Sequence, residues 1–208
     1  MNIVLIGAPA SGKGTQAKWL AKEFDLLHIS TGELIREVIH QGGALSSKLA
    51  EIVQNGNLVP DDVIFEILKN FINSHSTKNG ILFDGFPRTL NQAKMLSKIV
   101  SVDLAVEIDI SLDTVLERVE NRYSCANCGA GYIMSVHKSE FCSKCGSKLT
   151  KRADDTKEVA TNRYNDYLLT KNNIVDYYKK LNKHHLIGGE DTAENVFNKI
   201  CEVVRSII

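Results

Sequence analysis

Several short constellations in this chain carry residue types that can do chemistry. Gly7-Ala8-Pro9-Ala10-Ser11-Gly12-Lys13-Gly14-Thr15 follows an apolar run and opens an amphipathic one. A strand that turns into a helix over glycines is the setting for holding phosphate: the first helical turn has free N–H groups and a dipole that favours an anion. Gly7 and Gly12 let the backbone curl around phosphate oxygens, and Lys13 can reach the terminal phosphates as a point charge. The spacing fits G-x-x-x-x-G-K, but Gly14 stands where the general motif has Ser or Thr, and Thr15 comes one place later. A tight strand-to-helix turn that binds nothing is the alternative. Ile81-Leu82-Phe83-Asp84 is an apolar run ending in a carboxylate. In a parallel sheet, ligands bind beyond the carboxyl ends of strands, so Asp84 could hold the Mg2+ that travels with a nucleotide, directly or through water. Taken alone it would equally serve to cap the turn into Gly85.

A second chemistry lies in the cysteines. Cys125 and Cys128, then Cys142 and Cys145, form two C-x2-C pairs with thirteen residues between them, and Gly129 and Gly146 follow the pairs. Two such turns can set four thiolates tetrahedrally around Zn2+. Four thiolates leave no open coordination position, so the metal would be structural. Two disulfides are the rival, opposed by the lack of a secretory signal in a chain that reads as intracellular. His137 lies between the pairs and is expected on the surface. Cys201, beside Ile200 in an apolar helix, is expected in the core.

These groups need elements to position them. The chain has 208 residues, 43% hydrophobic and 24% charged, the profile of one sizeable globular domain. It has no apolar run long enough to span a bilayer, and no basic segment precedes its first apolar stretch, which reads as a buried strand. Net charge is zero, which disfavours bulk binding to nucleic acid or anionic membrane. Of the 7 arginines, Arg36, Arg88, Arg118, Arg122, Arg152 and Arg163 fall in the segments discussed here and only Arg205 lies elsewhere. Guanidinium groups present a planar fork suited to phosphate.

Short apolar runs (2–6, 26–29, 80–83, 104–110 and 185–187) alternate with helical patterns (13–24, the segment after Ser30, the segment after Asp61, 91–100, 111–120, 157–181 and 193–207). That rhythm predicts a parallel sheet covered on both faces. Ser30 or Thr31 and Asp61 are expected as helix caps, and the long 157–181 helix is expected to break near Thr170. Residues 122–155, rich in Cys, Gly, Ser and Lys, interrupt the rhythm as an inserted subdomain; 31–59 reads as a helical insertion.

Asp84-Gly85-Phe86-Pro87-Arg88 with Gln92, the loop Gly7 to Gln16, Thr31-Gly32-Glu33 with Arg36, and Gly56 to Asp61 together resemble the adenylate kinases, within the nucleoside monophosphate kinases. Arg118, Arg122, Lys151 to Asp155 and Asn162-Arg163 resemble that family's arginine-bearing lid and hinges. The resemblance covers essentially the whole chain. It implies a P-loop NTPase-like α/β core with a five-stranded parallel sheet (1–29, 60–121 and 156–208), an AMP-binding helical insertion (30–59) and a zinc-bearing lid (122–155). It implies Mg-dependent phosphoryl transfer from ATP to AMP, giving two ADP, by a cytoplasmic monomer with no nucleic-acid or membrane partner. Gly7, Ala10, Ser11, Gly12, Lys13, Gly14, Thr15, Arg118, Arg122 and backbone near Gly131, Tyr132 and Asp191 would bind ATP. Thr31, Arg36, Asn57, Leu58, Val59, Gly85, Phe86, Pro87, Arg88, Gln92, Arg152 and Arg163 would bind AMP. Lys13, Arg88, Arg122, Arg152 and Arg163 would stabilise the transferring phosphoryl group, with Mg2+ near Asp84 and Zn2+ on Cys125, Cys128, Cys142 and Cys145.

Three departures from the family stand out: Ala10 in place of a usual Gly, Tyr123 in place of a frequent second Arg, and a short stretch between the cysteine pairs. A UMP/CMP kinase shares the phosphate loop and Asp-Gly-Phe-Pro-Arg, and a non-enzymatic zinc ribbon is a third reading of the knuckles.

Overall fold

The computed structural model describes residues 1–152 and 154–207; Ala153, within the expected lid hinge, lies outside the described residues. In chain order the elements are β1 (Ile3–Gly7), α1 (Lys13–Glu23), β2 (Leu27–Ser30), α2 (Thr31–Gln41), α3 (Ala44–Gln54), α4 (Asp61–Asn73), β3 (Ile81–Asp84), α5 (Leu90–Leu96), β4 (Leu104–Asp109), α6 (Leu112–Glu120), β5 (Arg122–Cys125), β6 (Gly131–Ile133), α7 (Met134–His137), β7 (Leu149–Thr150), α8 (Lys157–Lys180), β8 (His184–Gly188) and α9 (Ala193–Arg205).

Five strands form one sheet in the order β2-β3-β1-β4-β8, all parallel. Alternation along β1 shows why it is central. Ile3 and Leu5 face a layer holding Ala17 and Leu20 of α1 and Val196, Ile200 and Val204 of α9. Val4 and Ile6 face the opposite layer, with Ile64 and Leu68 of α4, Leu96 of α5 and Ile174 and Tyr178 of α8. A strand buried on both faces must be apolar throughout, and this one is. The second core also takes in Leu34, Ile35 and Leu49, so α2 and α3 rest on the body of the protein. Cys201 is buried in the α9 layer as expected. This is the α/β, P-loop NTPase-like architecture anticipated from the sequence.

A second, three-stranded antiparallel sheet, β6-β5-β7, lies in the stretch that broke the rhythm. Its small core is Cys125, Ala130, Cys142 and Leu149, with Tyr123, Tyr132 and Met134 packed against it.

Two local expectations need correction. Helix α8 runs unbroken through Thr170, whose hydroxyl donates to the Asp166 and Tyr167 carbonyls and so bonds within the helix. Asp61 does not cap α4: Pro60 holds that position and the Asp61 carboxylate points elsewhere. His137 stays partly exposed and outside the cysteine cluster, as expected; it lies against the Tyr132 ring and its Nε2 pairs with the Phe141 carbonyl at 2.8 Å. Ser30 is the cap of α2, accepting from the Glu33 amide.

Candidate active site

The loop between β1 and α1 lies at the carboxyl end of the central strand. Gly7 cannot be replaced without a shift, because a Cβ there would stand 2.7 Å from both the Ile108 carbonyl and Ser11 Oγ. Gly12 caps α1 at φ 95, a left-handed conformation that favours glycine. Ala10 also sits in the left-handed region, at φ 58, so the loop keeps the glycine conformation and tolerates the Cβ at a cost. Lys13 folds back over the loop. Its Nζ donates to the carbonyls of Gly7 at 2.7 Å and Ala8 at 2.6 Å, with Ser11 Oγ at 3.3 Å. Burial, reinforced by Arg88 and Arg122 and opposed by Asp84, brings the Lys13 pKa down to about 8. Thr15 is exposed on α1.

Asp84 ends β3 directly beside this loop. A Cβ on Gly14 would stand 3.4 Å from Asp84 Oδ2. Burial alone would raise the Asp84 pKa, but the neighbouring His28 and Lys13 outweigh it and hold the carboxylate below its usual range. His28 Nε2 lies 3.7 Å from Asp84 Oδ2, too long for a hydrogen bond, and is buried without one. The sequence alone gives His28 no role; its one signal is an imidazole between the apolar Leu27 and Ile29 of β2. An ionised carboxylate facing a phosphate loop fits a hard divalent cation.

Arginines close in from five places along the chain. Arg36 projects from α2, and Arg88 follows the β3 turn, where its Nε donates to the Gly85 carbonyl at 2.7 Å. Arg88 is open to solvent yet surrounded by protein, as expected of a side chain standing in a cleft. Arg122 starts β5 and pairs with Asp155, its Nε 2.8 Å from Oδ2. Arg163 from α8 pairs with Asp154 at 2.6 Å and donates to the Gly56 and Val53 carbonyls. Arg152 precedes the two aspartates; its carbonyl accepts from the Asp155 amide at 3.1 Å, and its side chain makes no hydrogen bond among the described residues.

These groups feel one another. Burial, then Arg163 and Arg36, lower the pKa of Arg88 against the pull of Asp84. Burial, then Arg36 and Arg122, lower that of Arg152. Burial lowers Arg36 as well, with Arg122 adding to the effect. Arg122 alone is raised, because Asp155 and Asp154 outweigh burial. Asp154, which burial would raise, is held low by Arg163 and Arg122. Lys13, Arg36, Arg88, Arg122, Arg152 and Arg163 are thus set against Asp84, Asp154, Asp155 and, beside Arg36, Glu33, leaving two positive charges in excess. The charge of nucleotide phosphates would offset that excess.

The remaining expected residues fall around this centre. Thr31 is buried, and its hydroxyl donates to the Gly85 carbonyl at 2.9 Å, beside the buried Phe86 and Pro87. Gln92 is buried at the first turn of α5, while Asn57 and Leu58 are exposed and Val59 is buried between α3 and α4. Arg118 joins the loop to the end of β8, donating to the Ala10 carbonyl at 3.3 Å and the Gly189 carbonyl at 2.7 Å. Asp191 lies near that junction, but its carboxylate accepts from the Thr192 amide, Asn195 and Lys199, and these hold its pKa down to about 2. Gly131 is exposed, and the Tyr132 side chain faces the cysteines. Tyr123 alternates with Arg122 along β5 and packs into the small cysteine core, so the strand directs one arginine to the cleft rather than two.

The four patterned cysteines do come together. Their Sγ atoms all lie within 4.8 Å of one another. Cys125 and Cys145 are 3.4 Å apart and Cys128 and Cys142 are 3.5 Å apart, far beyond a disulfide bond and close to the roughly 3.8 Å that tetrahedral zinc thiolates require. Tyr132 Oη lies 3.1 Å from Cys142 Sγ, a contact that would orient the thiolate toward a metal ion. The Ser147 hydroxyl and amide help bring the Cys145 thiol down to about 5. The Ala130 amide favours the Cys128 thiolate, but contact with Cys142, burial and the other thiols outweigh it and push Cys128 up to about 12. Four thiolates repel one another, and a thiophilic divalent cation would relieve that repulsion. The donor set therefore fits zinc.

Comparison with known proteins agrees with this geometry. The adenylate kinase family profile matches residues 5–183. The chain is 37% identical over 215 residues to an adenylate kinase of Clostridium tetani, with all of both chains covered. It is 35% identical over 213 residues to one from Thermosipho africanus, covering 99% of this chain and all of that one. It is 36% identical over 214 residues to one from Petrotoga mobilis, covering 99% and 98% of the two. The phosphate loop, the facing aspartate and the gathered arginines are thus features of a chain that belongs to the adenylate kinase family.

Proposed function

We propose that the cleft holds ATP and AMP with their phosphates meeting over Lys13, and transfers the terminal phosphoryl group of ATP to AMP to give two ADP. Family membership makes the chain a phosphotransferase; the division of labour among its residues is the proposal. The observation that carries it is a network of five guanidinium groups, of which Arg88 and Arg122 act on Lys13, with too few carboxylates to balance them. Phosphoryl transfer requires positioning and stabilisation of spread negative charge, with little covalent work by the protein.

The loop amides and Lys13 hold the ATP phosphates, and Arg118 lies toward the adenosine end with backbone near Gly131, Tyr132 and Asp191. Arg36 and Arg88 hold the AMP phosphate, while Thr31, Gln92 and backbone at Asn57 to Val59 border its base. Arg122, Arg152 and Arg163 stabilise the charge as it moves. For this, Arg122 and Arg163 exchange the carboxylates of Asp155 and Asp154 for phosphate oxygens. Asp84 would hold the Mg2+ that arrives with ATP, and the ion supplies neutralisation of phosphate charge. Residues 122–155 act as a lid that excludes water, the competing acceptor, over the insertion formed by residues 30–59. Cys125, Cys128, Cys142 and Cys145 would hold a structural Zn2+ that keeps the lid one unit. The free cysteines fit a reducing, cytoplasmic setting, and the resemblance favours a monomer.

Steady-state kinetics with each substrate varied tests the assignment. Arg36→Ala should raise the KM for AMP about tenfold or more while moving that for ATP little; Arg118→Ala should do the reverse. Equal effects on both substrates from either variant would overturn the division of the cleft into two sides.

A further inference from the structure

Asp61 begins α4, but its carboxylate serves none of that helix's amides. Its Oδ1 accepts from Gln92 Nε2 at 2.7 Å. Its Oδ2 accepts from Asn91 Nδ2 at 2.7 Å and from the Thr89 hydroxyl at 3.2 Å. At the other end of the same amide, Gln92 Oε1 accepts from the Arg88 backbone N–H at 2.6 Å. Thr89 is also the cap of α5 and accepts from the Gln92 amide, so one carboxylate ties the first turn of α4 to the first turn of α5.

The consequence for Gln92 is directional. Rotating its amide by half a turn would set an NH2 group against the Arg88 N–H and an oxygen against the Asp61 carboxylate. Both contacts would be like against like in a buried place, where unsatisfied polar groups are costly. An amide carries two donor and two acceptor positions. Asp61 takes one donor and Arg88 takes one acceptor, so one N–H and one lone pair remain, each in a fixed place.

We propose that Asp61 is a specificity-determining positioning residue. By locking the Gln92 amide in one sense, it makes the acceptor site accept a 6-aminopurine monophosphate and refuse a 6-oxopurine one. The inference rests on the reading above of Gln92 as a contact to the acceptor base. A 6-aminopurine presents an exocyclic N–H beside a ring acceptor, which meets the remaining amide oxygen and N–H. A 6-oxopurine presents an acceptor beside a ring N–H, the opposite order. With the phosphate held by arginines, the base cannot slide to correct the mismatch, and mismatched buried polar groups discriminate strongly.

The test compares AMP with inosine monophosphate as acceptors at saturating ATP. Asp61→Asn keeps the shape but allows the partner to donate, so a reversed Gln92 meets one clash instead of two. The KM for AMP should rise about tenfold, the value of one charge-assisted hydrogen bond, with the KM for ATP unchanged. The preference for AMP over inosine monophosphate in kcat/KM should fall by a similar factor. Gln92→Leu should also erode the preference, and adding Asp61→Asn to it should change the ratio no further. Asn91→Ala removes one brace and leaves the carboxylate; it should lower the ratio about two- to threefold and serves if Asp61→Asn does not fold. An unchanged ratio in Gln92→Leu would overturn the base-contact reading itself. A lowered ratio in Gln92→Leu with no change in Asp61→Asn or Asn91→Ala would overturn the role of Asp61 alone.

Discussion

The arginine cleft and the cysteine knuckle are both clusters of like groups that need a partner of opposite charge, and they are built in opposite ways. The cleft draws Lys13, Arg36, Arg88, Arg122, Arg152 and Arg163 from widely separated parts of the chain, and Asp154 and Asp155 hold two of the arginines in reserve. Its partner must arrive and leave in every cycle, so carboxylates that can be exchanged for phosphate suit it. The knuckle takes its four thiols from a single stretch, Cys125 to Cys145, over a core of only four buried residues. So small a core cannot hold a fold by burial alone, and its partner must stay. On the function proposed above, one region would hold its excess charge for a partner that comes and goes, the other for one that stays.

The largest effect that would break this contrast lies in the cleft. Arg88→Ala should lower kcat by roughly 10²–10³, as expected for loss of a donor that stabilises developing charge, without unfolding the protein. Near-normal turnover would remove Arg88 from the chemistry. In the knuckle the expected effects are reversed. Cys125→Ser should lose bound zinc and unfold at lower temperature, as seen by metal analysis and calorimetry. Full zinc content in that variant would reject Cys125 as a ligand.

Lys13 sharpens the comparison through pH. Its folded pKa of about 8 lies below the ordinary lysine value of 10.5, so the unfolded chain binds more protons between those values. Stability of the nucleotide-free protein should therefore rise across that window relative to Lys13→Met, and show no such relative change below pH 7. Denaturant titrations of both proteins at a series of pH values would reveal it; parallel curves would show that Lys13 is not desolvated. The smallest effect belongs to Ala10. At φ 58, Ala10→Gly should stabilise the protein by about 0.5–1 kcal/mol, measured by urea unfolding.

Much of this was legible in the sequence because it is local. Gly7 to Thr15, Ile81 to Asp84 and the two C-x2-C pairs each combine a motif with the strand, helix or turn that displays it. The alternating faces of β1 follow from an unbroken apolar run, and the parallel order follows from the helices between strands. What escaped was tertiary. Asp61 after Pro60 reads as a helix cap, and nothing nearby reveals that Asn91 and Gln92 stand opposite it. Thr170 reads as a break because threonine is a poor helix former, yet its hydroxyl bonds inside α8 and the apolar face continues to Tyr178. His28 carries no motif at all; only the pairing of β2 with β3 sets it beside Asp84.

The central claim is that the cleft seats adenylate on both sides of the transferring phosphate. Incubating the purified, zinc-loaded protein with ADP and Mg2+ alone, and separating the nucleotides by chromatography, tests it most directly. Equal amounts of ATP and AMP should appear, since each turnover makes one of each. Folded protein that leaves ADP unchanged would contradict the account, whatever else the cleft binds.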